Sequence, residues 1–247
     1  MRIEGAHVLV TGAARGMGAH FARRLAELGA RVSAGDVDEA GLAELPEAVA
    51  RRRLDVADLD DVEAFVAWAR EHHGPVDALI NNAGILRDGL LVAKDRKTGA
   101  LRRLSREDFE AVVAVNLTGA TFMAQAAAAA MIEDGRRGVI VNMSSISRHG
   151  NRGQTNYVAA KAALAANTVT WARELAPYGI RVGAIAPGLV DTPMARSMPD
   201  RHLERALAAI PLGRMGTPEE IFCAVRFVLE CDYFTGETID VHGGLRF

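Results

Sequence analysis

Residues 6–18 read AHVLVTGAARGMG, and their reading decides the fold. Ala6–Thr11 is the apolar, β-branched run of a buried strand. Gly12, Gly16 and Gly18 then space a loop as G-x-x-x-G-x-G, with Arg15 and Met17 inside it. Apolar residues at helical spacing follow from about Gly16 to Leu28, and Gly29 stands where a helix would end. Strand, glycine loop and helix in that order can hold a pyrophosphate. Glycines let the backbone turn tightly and approach the phosphates, while the helix N-terminus offers free N–H groups and a partial positive charge. The spacing is not the commoner G-x-G-x-x-G, so the reading rests on the loop lying between the first strand and the first helix.

Outward from this unit the pattern repeats. Arg31–Asp36 reads as a second strand, Glu39–Ala50 as a helical stretch interrupted by Pro46, and Arg53–Val56 as a short third strand. Leu59–His72 has helical spacing, and Val76–Asn81 is a fourth strand. Ser105 is a good N-cap for a long helix to about Glu133. Strands at Gly138–Met143, Ile180–Ala186 and Glu237–Val241 alternate with helices at Thr155–Leu175 and Pro218–Leu229. Such alternation predicts an α/β fold with a parallel sheet covered on both faces. No linker or repeat divides the 247 residues, so they read as a single domain. Lys94–Arg103 (KDRKTGALRR) reads as a surface insertion, a hairpin in form, and Arg51-Arg52-Arg53 and His72-His73 as solvated ends of elements.

Bulk properties exclude several classes. Lys and Arg number 29 against 31 Asp and Glu, a net charge of −2, which argues against a dedicated nucleic-acid binder. No apolar run reaches the roughly 20 residues of a membrane span. Met1–Gly5 runs straight into a strand, so no signal peptide is expected. Cys223 and Cys231 form no CxxC, which suits a reducing compartment. No His/Asp/Glu set has metal spacing, so no metal is expected. The expectation is a soluble cytoplasmic protein.

Asp36 ends the second strand 24 positions after Gly12, about where a carboxylate meets the adenosine ribose diol. A carboxylate there repels a 2′-phosphate and favours NAD(H) over NADP(H). It could also cap the following turn, and Arg15 is a cation that could meet a 2′-phosphate. Asp55 and Val56 after the third strand, and Asn82, Ala83 and Gly84 after the fourth, lie at the carboxyl edge of the sheet, where ligands of open α/β folds bind.

Tyr157 and Lys161 are four apart on a helix and share a face. A free tyrosine titrates near pH 10, and acid–base work near neutrality needs that lowered. An ammonium nearby would do so by favouring phenolate. Ser144 closes the fifth strand thirteen residues earlier, so strand end and helix can converge. Asn116 is a poor interior helix residue, which suggests a local kink or a buried water.

Taken together, Thr11-Gly12-x-x-x-Gly16-x-Gly18, Asn81-Asn82-Ala83-Gly84, Asn116, Ser144, Tyr157-x-x-x-Lys161 and Pro187-Gly188-x-x-x-Thr192 resemble the short-chain dehydrogenase/reductase family over essentially the whole chain. The resemblance implies a Rossmann-type doubly wound sheet of about seven strands in the order 3-2-1-4-5-6-7. It implies a catalytic tetrad of Asn116, Ser144, Tyr157 and Lys161, with Tyr157 passing the proton, Lys161 on the nicotinamide ribose and Asn116 holding a relay water. The thirteen-residue offset picks Ser144 from the cluster Ser144, Ser145 and Ser147. Val190 and Thr192 would contact the carboxamide. Homotetramers are usual in the family; alanine-rich faces at Ala124–Ala130 and Ala159–Ala166, and the tail Asp240–Phe247, would serve the contacts.

Residues 194–210 would cover the substrate, with Met194, Met198, Leu203 and Leu207 as apolar lining. Arg196, Arg201 and Arg205 read first as solvated charge, and His149 as a loop histidine. The function implied is hydride transfer between NAD(H) and a ketone/secondary alcohol pair. Within that, 3-oxoacyl/3-hydroxyacyl thioesters come first by similarity to acyl-carrier-protein reductases. The alternatives are a catalytically silent dinucleotide sensor and an NADP(H)-preferring carbonyl reductase.

Overall fold

A computed structural model describes residues 1–95, 97–196, 198 and 200–246, with Asp200 and His202 described by backbone alone. Seven parallel strands form one sheet: β1 (His7–Thr11), β2 (Arg31–Asp36), β3 (Val49–Arg53), β4 (Ala78–Asn81), β7 (Val139–Met143), β8 (Arg181–Pro187) and β9 (Thr238–Val241). Their order is β3-β2-β1-β4-β7-β8-β9, the expected 3-2-1-4-5-6-7 once the short hairpin strands β5 (Val92–Lys94) and β6 (Leu101–Arg103) are set aside. The strand order reverses beside β1, between β1 and β4, which opens a crevice at their carboxyl ends.

The helices are α1 (Gly16–Glu27), α2 (Glu39–Ala43), α3 (Leu59–His73), α4 (Arg106–Val113), α5 (Ala120–Glu133), α6 (Thr155–Leu175), α7 (Pro193–Arg196), α8 (Asp200–Ala208) and α9 (Pro218–Glu230). Consecutive residues of β1 point to opposite faces. Val8 and Val10 pack with Phe21, Leu25, Phe222 and Val225 of α1 and α9. Leu9 packs with Phe65, Leu79, Met123 and Ile140 on the α3–α5 side. The sheet is thus buried on both faces, and truncating the fully buried Phe65 to alanine would cost about 3–5 kcal/mol. Arg106–Glu133 is long and apolar enough to cross a membrane by length and composition, contrary to the sequence reading, but half of its most apolar window is buried within the chain. Ala124, Ala126, Ala127, Ala128 and Ala130 are in that buried part.

Three boundaries differ from expectation. The third strand is Val49–Arg53 rather than Arg53–Val56, and the helix before it stops at Ala43. Pro46 cannot continue a helix, and β3 is an edge strand whose outer face accepts Arg51 and Arg53. The long helix from Ser105 is interrupted by a π-turn, Ala114–Gly119. The insertion is an antiparallel hairpin that begins two residues early, pairing Val92 with Arg103; its Arg96 lies outside the described residues. So do Ser197 and Pro199 of the expected substrate cover and Phe247 of the tail.

Candidate active site

A cleft of about 540 Å³ lies at the carboxyl ends of the strands nearest β1. Gly12 has φ +65°, and a Cβ there would stand 2.7 Å from Ala83 Cα. The glycine loop therefore presses directly on the Asn82-Ala83-Gly84 segment. Asn82 locks the pair: its Nδ2 donates to Thr11 O and Gly12 O, both at 3.0 Å. Thr11 Oγ1 accepts from the amides of Asn82 and Ala83, both at 3.1 Å. Gly18 does not line the cleft; a Cβ there would come 2.0 Å from Gly12 O, so it allows α1 to seat against β1.

Gly12, Arg15, Gly16, Met17, Asp36, Asp55, Val56, Asn82, Ala83, Gly84 and Thr192 all line the cleft. The N-cap of α1, Arg15, makes no side-chain cap bond, so no side chain of its own occupies the first-turn amides. Among the described residues Arg15 forms no ion pair. This cradle, closed to side chains at Gly12 and offering helix amides, fits a dinucleotide pyrophosphate. Asp36 reaches the cleft and also ties its base: it accepts from Ala14 N and Asp38 N, both at 3.0 Å. Asp55 accepts from Ala57 N at 3.0 Å.

Pro187, Gly188 and Val190 support the site from outside the lining. Pro187 ends β8, Gly188 N donates to Val241 O at 2.9 Å, and Val190 is buried and bridged to Gly216. They present Thr192 and Met194 to the cleft. Arg196 is engaged by Asp191 at 2.6 Å, whereas Arg201 and Arg205 are exposed, as is His149.

Asn116 sits in the π-turn, fully buried. The extra residue of such a turn redirects a side chain. Asn116 clasps Ile85 from both ends, Oδ1 accepting from Ile85 N at 2.8 Å and Nδ2 donating to Ile85 O at 3.0 Å. A Cβ on Gly84 would lie 3.3 Å from Asn116 Oδ1 and 3.6 Å from Lys161 Nζ, so these groups gather around one point. Lys161 Nζ donates to Met143 O at 2.7 Å and stands 5.6 Å from the Tyr157 ring centroid.

Two expectations are corrected here. Ser144 Oγ is buried and donates to Lys161 O at 2.8 Å, so the helix backbone holds it. The hydroxyl that hydrogen-bonds the Tyr157 phenol is that of Ser145. Ser145 has extended backbone, φ −164° and ψ 153°, and neighbours on extended chain point opposite ways. A one-residue choice therefore exchanges the phenol for the helix backbone as the serine's neighbour. The usable signal was this alternation at the strand end, not the offset to the tyrosine. Second, burial opposes the lowering expected from Lys161. Burial pushes it up to about 12, the Ser145 hydrogen bond pulls it back, and the Asp88 charge adds to the rise. Burial likewise brings Lys161 down to about 8. The ammonium sits against a carbonyl, 5.6 Å from the ring centre. Asp88 and Gln154, absent from the sequence reading, also border this centre.

Residues 12–246 match the family model described as enoyl-(acyl carrier protein) reductase. The chain is 42% identical to the 3-oxoacyl-[acyl-carrier-protein] reductase of Thermotoga maritima, with 99% of each chain covered. It is 37% identical to the corresponding reductase of Vibrio harveyi, 99% of each covered. It is also 37% identical to the (3R)-3-hydroxyacyl-CoA dehydrogenase of Canis lupus familiaris, covering 99% of this chain and 98% of the relative. With a seven-stranded doubly wound sheet and a dinucleotide cleft, the chain belongs to the short-chain dehydrogenase/reductase family and is an oxidoreductase of the ketone/CH–OH couple that uses NAD(P)(H).

Proposed function

We propose that the chain interconverts a 3-oxoacyl thioester and its 3-hydroxyacyl counterpart, with NAD(H) preferred to NADP(H) and Tyr157 as the general acid/base. The observation that carries the reading is the convergence of Ser145, Tyr157, Lys161 and Asn116 beside a cleft built for a dinucleotide. The names of the reductase and dehydrogenase relatives support the thioester class. The carboxylate of Asp36 in the cleft supports NAD(H).

When bound, a nicotinamide ring supplies the hydride or accepts it. In reduction, Ser145 Oγ–H and the phenol of Tyr157 donate to the carbonyl oxygen, and a phenol held near 12 enters neutral solution fully protonated. The developing alkoxide takes the phenol proton. Lys161, buried and brought down to about 8, stands next to the phenol, where its ammonium stabilises the phenolate left behind and can return the lost proton. Asn116 holds the Ile85 backbone at the cleft wall. Residues 194–210 cover the substrate in this reading, with Met194 in the cleft wall. A homotetramer is part of the proposal, and light scattering of the purified chain tests it.

The deciding experiment is a panel of ketones, secondary alcohols and acyl thioesters, read by dihydronicotinamide absorbance with each cofactor. Thioester turnover with NADH is the expected result. Turnover of unrelated ketones alone would overturn the substrate class. Equal or better activity with NADPH would overturn the Asp36 argument and turn attention to Arg15.

A further inference from the structure

We propose that Asp88 is a positioning residue for the Ser145–Tyr157 pair through Gln154 and that its own charge, acting across space, sets the pH range in which that pair works. The proposal rests on the reading of Tyr157 as the proton-transfer group. Its basis is a line of hydrogen-bonded residues that runs from Asp88 to Ser145. The Asp88 carboxylate accepts from Gln154 Nε2 at 3.1 and 3.3 Å. Gln154 Oε1 accepts from Ser147 Oγ at 2.9 Å and from Asn151 Nδ2 at 2.8 Å. Ser147 N donates to Ser145 Oγ at 3.1 Å, and Ser145 bonds the phenol.

Donor chemistry gives this line a direction. A carboxylate only accepts, so the amide nitrogen of Gln154 must face Asp88 and its oxygen must face Ser147. Ser147 Oγ must then donate to that oxygen. Ser145 Oγ already accepts the Ser147 amide, which leaves its own proton free for the phenol or for a substrate oxygen. The charge of Asp88 fixes this orientation at the nitrogen end, and Asn151 Nδ2 supports it at the oxygen end. The backbone fixes the same two segments to each other. Gly89 N donates to Gly153 O at 2.8 Å, and Asn156 Nδ2 donates to Arg87 O at 2.9 Å. Asp88 is therefore held against the turn that leads into Tyr157.

The charged groups on the elements around the phenol separate cleanly. Lys161, on the same helix, is bonded to Met143 O. Arg148 on the neighbouring 3₁₀ turn is engaged by Asp240 at 2.6 Å. Asp108 on α4 accepts from Ser105 Oγ at 2.8 Å. Arg87 donates to Leu86 O at 3.2 Å, and His149 is exposed. Asp88 is the charge that bears on the phenol, and it disfavours phenolate. Because Asp88 is exposed, this influence is screened by salt.

The test compares pH–rate profiles of kcat/KM for alcohol oxidation in the parent, Asp88→Asn, Gln154→Ala and Tyr157→Phe proteins, at low and high salt. Asp88→Asn should move the ascending limb to lower pH by about half a unit at low ionic strength, and about 1 M salt should largely remove the difference. Gln154→Ala keeps the charge but breaks the line, so kcat should fall about tenfold while the limb stays in place. Thermal melts on every variant separate a folding defect from a positioning one. An Asp88→Asn profile superimposed on the parent, a shift unchanged by salt, or a Gln154→Ala protein with parental kcat would overturn the inference. If Tyr157→Phe retains turnover, the functional reading itself fails; if it is inactive while the other two behave as the parent, this inference alone fails.

Discussion

At its first residue, β1 buries His7; at its last, it delivers Thr11 and the glycine loop to the cleft. His7 Nδ1 faces Gly74 O at 2.9 Å, and since a carbonyl only accepts, Nδ1 carries the proton. Nε2 then accepts from Ser33 Oγ at 2.9 Å. Next to it, Asp77 takes His7 N at 2.8 Å and the Arg136 guanidinium at 2.9 and 2.5 Å. Burial brings His7 down to about 4, so it stays neutral. At the other end Tyr157 and Lys161 are also moved by burial, but they stand beside a cleft, near its lining residue Gly84, and Arg15 in that lining has no ionic partner among the described residues. The same desolvation that makes one end a structural clamp makes the other a reactive centre. What differs is whether the polar groups find their partners within the chain or face a cleft.

This contrast can be broken by substitution. Tyr157→Phe should reduce turnover about a thousandfold at neutral pH while cofactor binding, followed by fluorescence titration, persists. Loss of binding in step with turnover would make the tyrosine structural, like His7. At the clamp, the unfolded histidine takes a proton near pH 6.5 and the folded one only near 4, so acid favours the unfolded state. The His7 contribution is absent above pH 6.5 and amounts to a loss of about 3 kcal/mol as pH falls to 4. His7→Gln should flatten that slope in urea titrations; an unchanged slope would remove His7 from the account.

Ser145→Ala should lower kcat about a hundredfold. Asp36→Ala should shift the NADH-to-NADPH ratio of kcat/KM toward NADPH by about tenfold. Smallest is Ser144→Ala, which should cost about 1 kcal/mol of stability and leave kcat within about twofold. The reverse ranking of the two serines would restore the thirteen-residue offset as the better guide.

The alternation of apolar runs and helical periods carried the parallel sheet covered on both faces, because strand and helix periods are local, whereas the strand order came with the family resemblance. Edges were less legible. Val49–Arg53 carries three arginines and hid as a solvated element end, since an edge strand needs only one buried face. Asn116 signalled a kink through its poor helix propensity, and a π-turn stands there.

Residue types and spacing were thus enough for the doubly wound sheet, the glycine cradle and the Tyr157–Lys161 pair, all of which depend on neighbours along the chain. Tertiary packing alone selected Ser145 over Ser144, raised the phenol rather than lowering it, and brought Asp88 to Gln154. Those outcomes turn on the direction of one pleat, on how much water burial removes, and on contacts between segments 66 residues apart.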